Sequence, residues 1–261
     1  MQFRAIAAAL ICICGFVGGA AAASTQGRVP ILVYHRFDAA TPRAMTVTTP
    51  VFVQQLAWLA EHHISVVSLH ALVASLRDAT PLPPAAVVLT ADDGHRSIYT
   101  DMFPLLRRFR VPVTLFIYPS AISNADYALT WEQLAEMIES GLVDVQSHTY
   151  WHTNFRTERL RLSSSDYCDL VTKQLTLSKT RLQERLGIEV DLLAWPFGLY
   201  DADLERRAAD SGYIAAFTLV RGPVRAGADL FALPRYLMTD QDRGARFAAI
   251  VLGAEEAGAA Q

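Results

Sequence analysis

The chain has 261 residues, 52% of them apolar, with a formal charge of -3 at neutral pH and its arginines scattered rather than grouped. Without a basic stripe or run, a nucleic-acid partner and an electrostatic membrane anchor are both disfavoured. A neutral or weakly charged substrate fits better.

Met1 to about Ala23 reads as a secretory signal: Arg4 in a short leading region, an apolar stretch from Ala5 to Val17, and small residues from Gly18 to Ala23 suited to signal peptidase. The stretch is too short and wrongly flanked for a stable membrane anchor. The expectation is therefore a signal over 1-23, one domain over 24-261, and a periplasmic or extracellular location. Cleavage would remove Cys12 and Cys14 and leave Cys168 alone, so no internal disulfide is expected. The remaining chain, about 240 residues, is ample for a single-domain core.

Pro30 to Tyr34 reads as a buried strand with His35 at its end. Thr48-Thr49-Pro50 opens a helix over Val51 to His62, Ile64 to Val67 is a short strand, and Ser68 caps a helix running to Arg77. The rigid link Thr80 to Pro84 leads into Val87-Val88-Leu89-Thr90-Ala91, an apolar strand that breaks at Asp92-Asp93-Gly94. A helix over Ile98 to Phe109 and a strand over Val111 to Tyr118 follow. Thr130 to Ser140 is the next helix, and Val143 to Ser147 a strand ending at His148. Asp166 to Leu186 is the longest predicted helix, closed by Gly187. Ile188 to Ala194 is a strand leading to Trp195-Pro196-Phe197-Gly198, Asp201 to Ser211 a helix, and Tyr213 to Thr218 a strand. Phe231 to Pro234 is read as a last short strand, and the tail from Gly253 as frayed.

This alternation predicts an α/β fold with a parallel sheet. No G-x-G-x-x-G loop follows the first strand, so a barrel is favoured over a dinucleotide-binding sheet. In a barrel, side chains at the C-terminal ends of the strands converge, and here these are His35, Asp92 with Asp93, His148 and Trp195.

Adjacent aspartates on an extended segment point in different directions and repel unless a positive group lies beside them, which a metal would provide. His148-Thr149-Tyr150-Trp151-His152 places two imidazoles four apart, and one turn of helix or a helix-like loop would bring both to one face. Two imidazoles and one carboxylate suit a catalytic zinc or similar divalent ion. His95, beside Gly94, lies near that group in sequence, and His62, His63 and His70 read as surface or capping residues.

With these residues in place, the chain resembles the polysaccharide deacetylase (NodB-homology, carbohydrate esterase family 4) proteins. Thr90-Ala91-Asp92-Asp93-Gly94 matches the family's T-F-D-D-G, His148 to His152 matches H-[ST]-x-x-H, and Ala194-Trp195-Pro196-Phe197-Gly198 stands where R-x-P-Y-G is usual. The resemblance implies a distorted (β/α) barrel of about seven strands. It also implies a divalent metal, most simply Zn2+, on Asp93, His148 and His152, with Asp92 as general base. Ala91, Ala194 and Phe197 depart from the family pattern, and Leu233-Pro234-Arg235 replaces its late Leu-x-His. One branch, the poly-β-1,6-N-acetyl-D-glucosamine deacetylases, departs in a similar way, and there an early Tyr-His, here Tyr34-His35, supplies the acid. The implied partner is an N-acetylated polysaccharide, foremost a poly-β-1,6-N-acetylglucosamine-like exopolysaccharide, with peptidoglycan and chitooligosaccharides as alternatives. A catalytically weak carbohydrate-binding protein is a further one. Trp195 and Phe197 either wall the sugar site or pack at the strand end. Arg235, grouped with them on the substrate side, either orients Asp92 or forms a surface ion pair.

Overall fold

The computed structural model describes residues 27-253, so the expected signal peptide lies outside the described residues. Its centre is a parallel sheet of strands β1 (Ile31–Tyr34), β2 (Ser65–Val66), β3 (Ala86–Asp92), β4 (Val113–Ile117), β5 (Val143–Ser147), β6 (Leu192–Ala194), β7 (Ala215–Phe217) and β8 (Tyr236–Leu237). The order across the sheet is β7-β6-β5-β4-β3-β1-β8, and β2 pairs with the start of β3. Among the described residues eight α-helices accompany it: α1 (Thr49–Glu61), α2 (Leu69–Asp78), α3 (Phe103–Phe109), α4 (Trp131–Glu139), α5 (Phe155–Arg161), α6 (Ser164–Leu186), α7 (Ala202–Asp210) and α8 (Ala245–Leu252). All seven residues of β3 are buried, as a strand covered on both faces must be.

The sheet is strongly curled. β4 and β7 are three strands apart, roughly 14 Å in a flat sheet, yet the Phe116 and Phe217 rings lie 5.4 Å apart between centroids. That contact is possible only across a concave face. Ile31, Val88, Phe116, Phe217 and Leu233 share it, and Leu69, Leu72 and Val73 of α2 pack on the same cluster. Alternation along β3 puts Thr90 and Asp92 on the Val88 face, so Asp92 points into the top of this half-barrel.

The segment 233-238 joins the two edges of the sheet. Leu233 exchanges hydrogen bonds with the β7 edge (Leu233 N to Ala216 O, 3.0 Å; Thr218 N to Leu233 O, 2.8 Å), and Tyr236–Leu237 then pairs with Leu32 and Val33 of β1. The last strand expected at Phe231 to Pro234 is therefore displaced to 236-237. Pro234 has no N–H to donate, and Leu233 makes only an isolated bridge to Phe217.

Three further differences have local causes. The helix expected from Ile98 begins as a π-helical turn, Ile98–Met102, with Phe103 N–H bonding Ile98 O; Pro104 cannot donate to the turn before it. Helix α5 is capped by Asn154, whose side chain accepts from Thr157 N, but only Phe155 of it is buried, so it shows no apolar period. Helix α8 was not expected, although Phe247, Ile250 and Val251 form its buried stripe. His70 is neither purely a surface nor a capping residue, because its ring bridges Asp144 of β5 and Asp191 just before β6. Cys168 carries a free thiol, and among the described residues no helix is long and apolar enough to cross a membrane.

Candidate active site

The C-terminal end of β3 delivers Asp92 and Asp93 in different environments. Asp92 is 1% exposed and receives a two-pronged hydrogen bond from Arg235, Nη1 to Oδ1 at 2.8 Å and Nη2 to Oδ2 at 2.7 Å. Burial alone would push the carboxyl up. The Arg235 guanidinium, then His148, outweigh burial and hold it at about 2. Arg235 is itself fully buried, with Nε donating to Thr218 O at 2.9 Å and Cζ lying 5.4 Å over the Phe116 ring. It is placed to orient Asp92, and at 0% exposure it cannot meet a substrate directly.

At Asp93 the chain turns into the left-handed region, with φ 72°, and Gly94 follows at φ 73°. A Cβ on Gly94 would stand 2.9 Å from Ile117 Cδ1, so this position favours glycine on two counts. The turn aims Asp93 away from Asp92 and toward the imidazoles. Asp93 Oδ1 is 3.5 Å from His148 Nε2 and 3.5 Å from His152 Nε2, and it is buried with no hydrogen-bond partner.

The histidines arrive by a turn rather than a helix. Thr149 and His152 both have positive φ, 62° and 56°, and the buried Gln174 of α6 holds the loop by accepting from Tyr150 N and Trp151 N. The expected convergence of two imidazoles is present, but its backbone is an irregular loop. His148 Nδ1 donates to Ala194 O at 2.8 Å, which fixes the tautomer and leaves Nε2 as a lone-pair donor. Burial brings the His148 pKa down to about 3, so the ring is neutral at ordinary pH. That contact uses a backbone carbonyl, so an alanine serves at position 194.

Asp93, His148 and His152 form a group whose ligand atoms all lie within 4.8 Å of one another. At Zn–N and Zn–O lengths near 2.0 to 2.1 Å, ligand atoms on a tetrahedron stand about 3.3 Å apart. The observed 3.5 Å separations match that edge and exceed a hydrogen bond. Neutral imidazole nitrogens and an unpartnered buried carboxylate oxygen suit a divalent ion such as zinc.

His35 stands at the end of β1, 6% exposed, with a buried Nδ1 that has no partner. Burial lowers its pKa, while the carboxylates of Asp92 and Asp93 act in the opposite direction. His95 is held by Ser97, Nδ1 to Oγ at 2.8 Å, and is not part of the metal-binding group. Phe197 is 52% exposed and meets His152 edge-on, 4.5 Å between centroids. Trp195, by contrast, is 0% exposed and donates Nε1–H to Phe231 O at 2.9 Å. Of the two readings open for Trp195 the structure favours packing, and it does not wall the cleft. Tyr118, expected from the sequence only as the end of a strand, packs against His152 at 5.3 Å; that strand-end position is the signal that points to it.

The family described as Polysaccharide deacetylase matches residues 79-216. Poly-beta-1,6-N-acetyl-D-glucosamine N-deacetylase of Escherichia coli (strain K12) is 28% identical over 253 residues, covering 84% of this chain and 37% of that protein. The chain thus spans little more than a third of that relative. The like-named protein of Staphylococcus epidermidis is 27% identical over 200 residues, covering 75% of this chain and 68% of its own. Among solved structures, the Streptococcus pyogenes deacetylase PplD in complex with acetate superposes with a TM-score of 0.77 at 22% identity, over 86% of this chain and 98% of that one. The last likeness concerns the fold. Matched to the family over more than half of its length, the chain belongs to the polysaccharide deacetylase family.

Proposed function

We propose that the chain is a metal-dependent N-deacetylase of an exported N-acetylhexosamine polysaccharide, most simply a poly-β-1,6-N-acetylglucosamine-like polymer. The observation that carries this reading is the juxtaposition at one strand-end face of the Asp93, His148 and His152 group with the Arg235-bound Asp92. The names of the E. coli and S. epidermidis relatives support the choice of polymer. The leader-like residues 1-23 support a periplasmic or extracellular location.

Asp93, His148 and His152 would hold the ion, which when bound supplies Lewis-acid polarisation and a more acidic water. Asp92 stays ionised at neutral pH, and each carboxylate oxygen keeps a lone pair beyond its bond to Arg235. It takes the proton from the water that attacks the acetamide carbon. His35 protonates the leaving nitrogen as the C–N bond breaks, and the proton taken by Asp92 restores His35 before the next cycle. Acetate and a free amino sugar are the products. Phe197 covers the sugar and excludes water from its side of the cleft.

The test is acetate release from β-1,6-linked and β-1,4-linked N-acetylglucosamine oligomers by the zinc-loaded chain, with chelator and Asp92→Asn controls. Release that both controls abolish supports the reading, and the preferred linkage distinguishes this polymer from peptidoglycan or chitin-like ones. Release that survives the chelator would defeat it.

A further inference from the structure

The loop after β4 carries a second feature that no motif includes. Tyr118 and Tyr127 join hydroxyls at 2.6 Å, and Tyr127, 42% exposed, lies parallel to the His95 ring at 12° and 6.3 Å. The loop is fastened to the turn that bears Asp93: Leu129 N donates to Gly94 O at 2.9 Å, Arg96 N to Tyr127 O at 2.7 Å, and His95 forms an antiparallel bridge with Ala128. Tyr127 therefore holds a fixed position relative to Asp93. His152 packs against Tyr118 at 5.3 Å and against Phe197 at 4.5 Å, so aromatic rings extend from His152 in two directions.

Resting on the deacetylase reading, we propose that Tyr127, backed by His95 and held by Tyr118, is the platform for the sugar unit neighbouring the one that loses its acetyl group, and so makes the site prefer polymer over short fragments. An exposed tyrosine presents an apolar face to pyranose C–H groups and a hydroxyl to sugar oxygens. The two hydroxyls exchange one hydrogen bond and keep a donor and lone pairs for the ligand. Nothing needs to be ordered on binding, because the backbone bonds to Gly94 and Arg96 already fix the loop.

The experiment compares a disaccharide with a pentasaccharide of N-acetylglucosamine in each linkage, by steady-state kinetics of the zinc-loaded chain and by calorimetric binding to the slow Asp92→Asn variant. Tyr127→Ala should raise KM and Kd for the pentasaccharide about tenfold and for the disaccharide less than about twofold. Tyr127→Phe should stay within about threefold of the parent, because it keeps the ring. Unchanged pentasaccharide binding, equal losses on both lengths, or a Phe variant as weak as the Ala variant would overturn the platform. So would a pentasaccharide that fails to bind with Tyr127 intact. Acetate release by the unsubstituted chain separates any of these from a failure of the deacetylase reading, and equal thermal midpoints exclude misfolding.

Discussion

Arg235 grips both oxygens of Asp92, at 2.8 and 2.7 Å, from the short segment that stitches the two edges of the sheet together. The same segment, 233-238, closes the half-barrel and holds the strand-end carboxylate. Both partners are almost wholly out of water, at 0% and 1% exposure, so the pair is a commitment of the fold as well as of the site.

Truncating Arg235 to alanine leaves a buried carboxylate without its partner, which typically costs about 3 to 5 kcal/mol. Chemical denaturation should show that loss. Arg235→Lys should restore charge without the two-pronged geometry and recover only part of it. Arg235→Met combined with Asp92→Leu should be far closer to the parent in stability than Arg235→Ala while releasing no acetate. A double variant as unstable as the single would mean that the guanidinium acts through packing on Phe116 instead.

Metal should bind tightly to the folded chain through Asp93, His148 and His152. At a free zinc concentration one hundred times Kd, binding stabilises the folded state by about 2.7 kcal/mol. Thermal unfolding should therefore shift upward on zinc addition in the parent and not in Asp93→Ala or His148→Ala. Elemental analysis should find about one ion per chain. An undiminished shift in both variants would place the ion elsewhere.

What could be read without coordinates was what short-range pattern encodes. Val87 to Leu89 ending at Asp92, and Val143 to Ser147 ending at His148, are strand runs with polar termini, and a parallel sheet brings such termini to one side. Contacts between distant segments were not readable from pattern. Arg235 and Asp92 are 143 residues apart, so their pairing stood as only one of two readings for Arg235, and the His148 partner is a backbone carbonyl, which leaves no trace in side-chain identity. Trp195 was open to both a sugar-wall and a packing role because sequence shows its type and not its direction. The left-handed turns at Thr149 and His152 were hidden for a related reason: neither residue is a glycine, so nothing announced a positive φ. Helix α8 is different, since the spacing of Phe247, Ile250 and Val251 is itself a helical apolar stripe in the sequence.

Trp195 and Phe197 are two residues apart and should behave oppositely. Trp195→Ala opens a cavity in a fully buried position and leaves Phe231 O without its donor, so a loss of about 3 to 5 kcal/mol is expected. Phe197→Ala removes a ring that is 52% exposed and should change stability by less than about 1 kcal/mol, while raising KM for oligosaccharides. Denaturation midpoints and initial rates measured on both variants decide it. A large stability loss at Phe197 with unchanged KM would remove it from the cleft wall.

His70 links stability to pH at the opposite end of the strands. Its Nε2 is 2.8 Å from Asp191 Oδ1 and its Nδ1 3.4 Å from Asp144 Oδ2, and these two carboxylates raise its pKa from 6.5 to about 10. Because the folded-state pKa lies above the unfolded one, the folded chain binds the extra proton between them. The stabilisation is then complete below about pH 6.5 and declines as pH rises toward about 10. Its size is reduced by solvent screening, since the His70 side chain is 42% exposed. Other groups titrate in the same window, so the informative quantity is the difference in thermal midpoint between the parent and His70→Gln. That difference should be largest near pH 6 and shrink steadily up to about pH 10. A difference that stays constant across the range would show that His70 anchors α2 by packing and neutral hydrogen bonds, and that the two aspartates hold no proton on it.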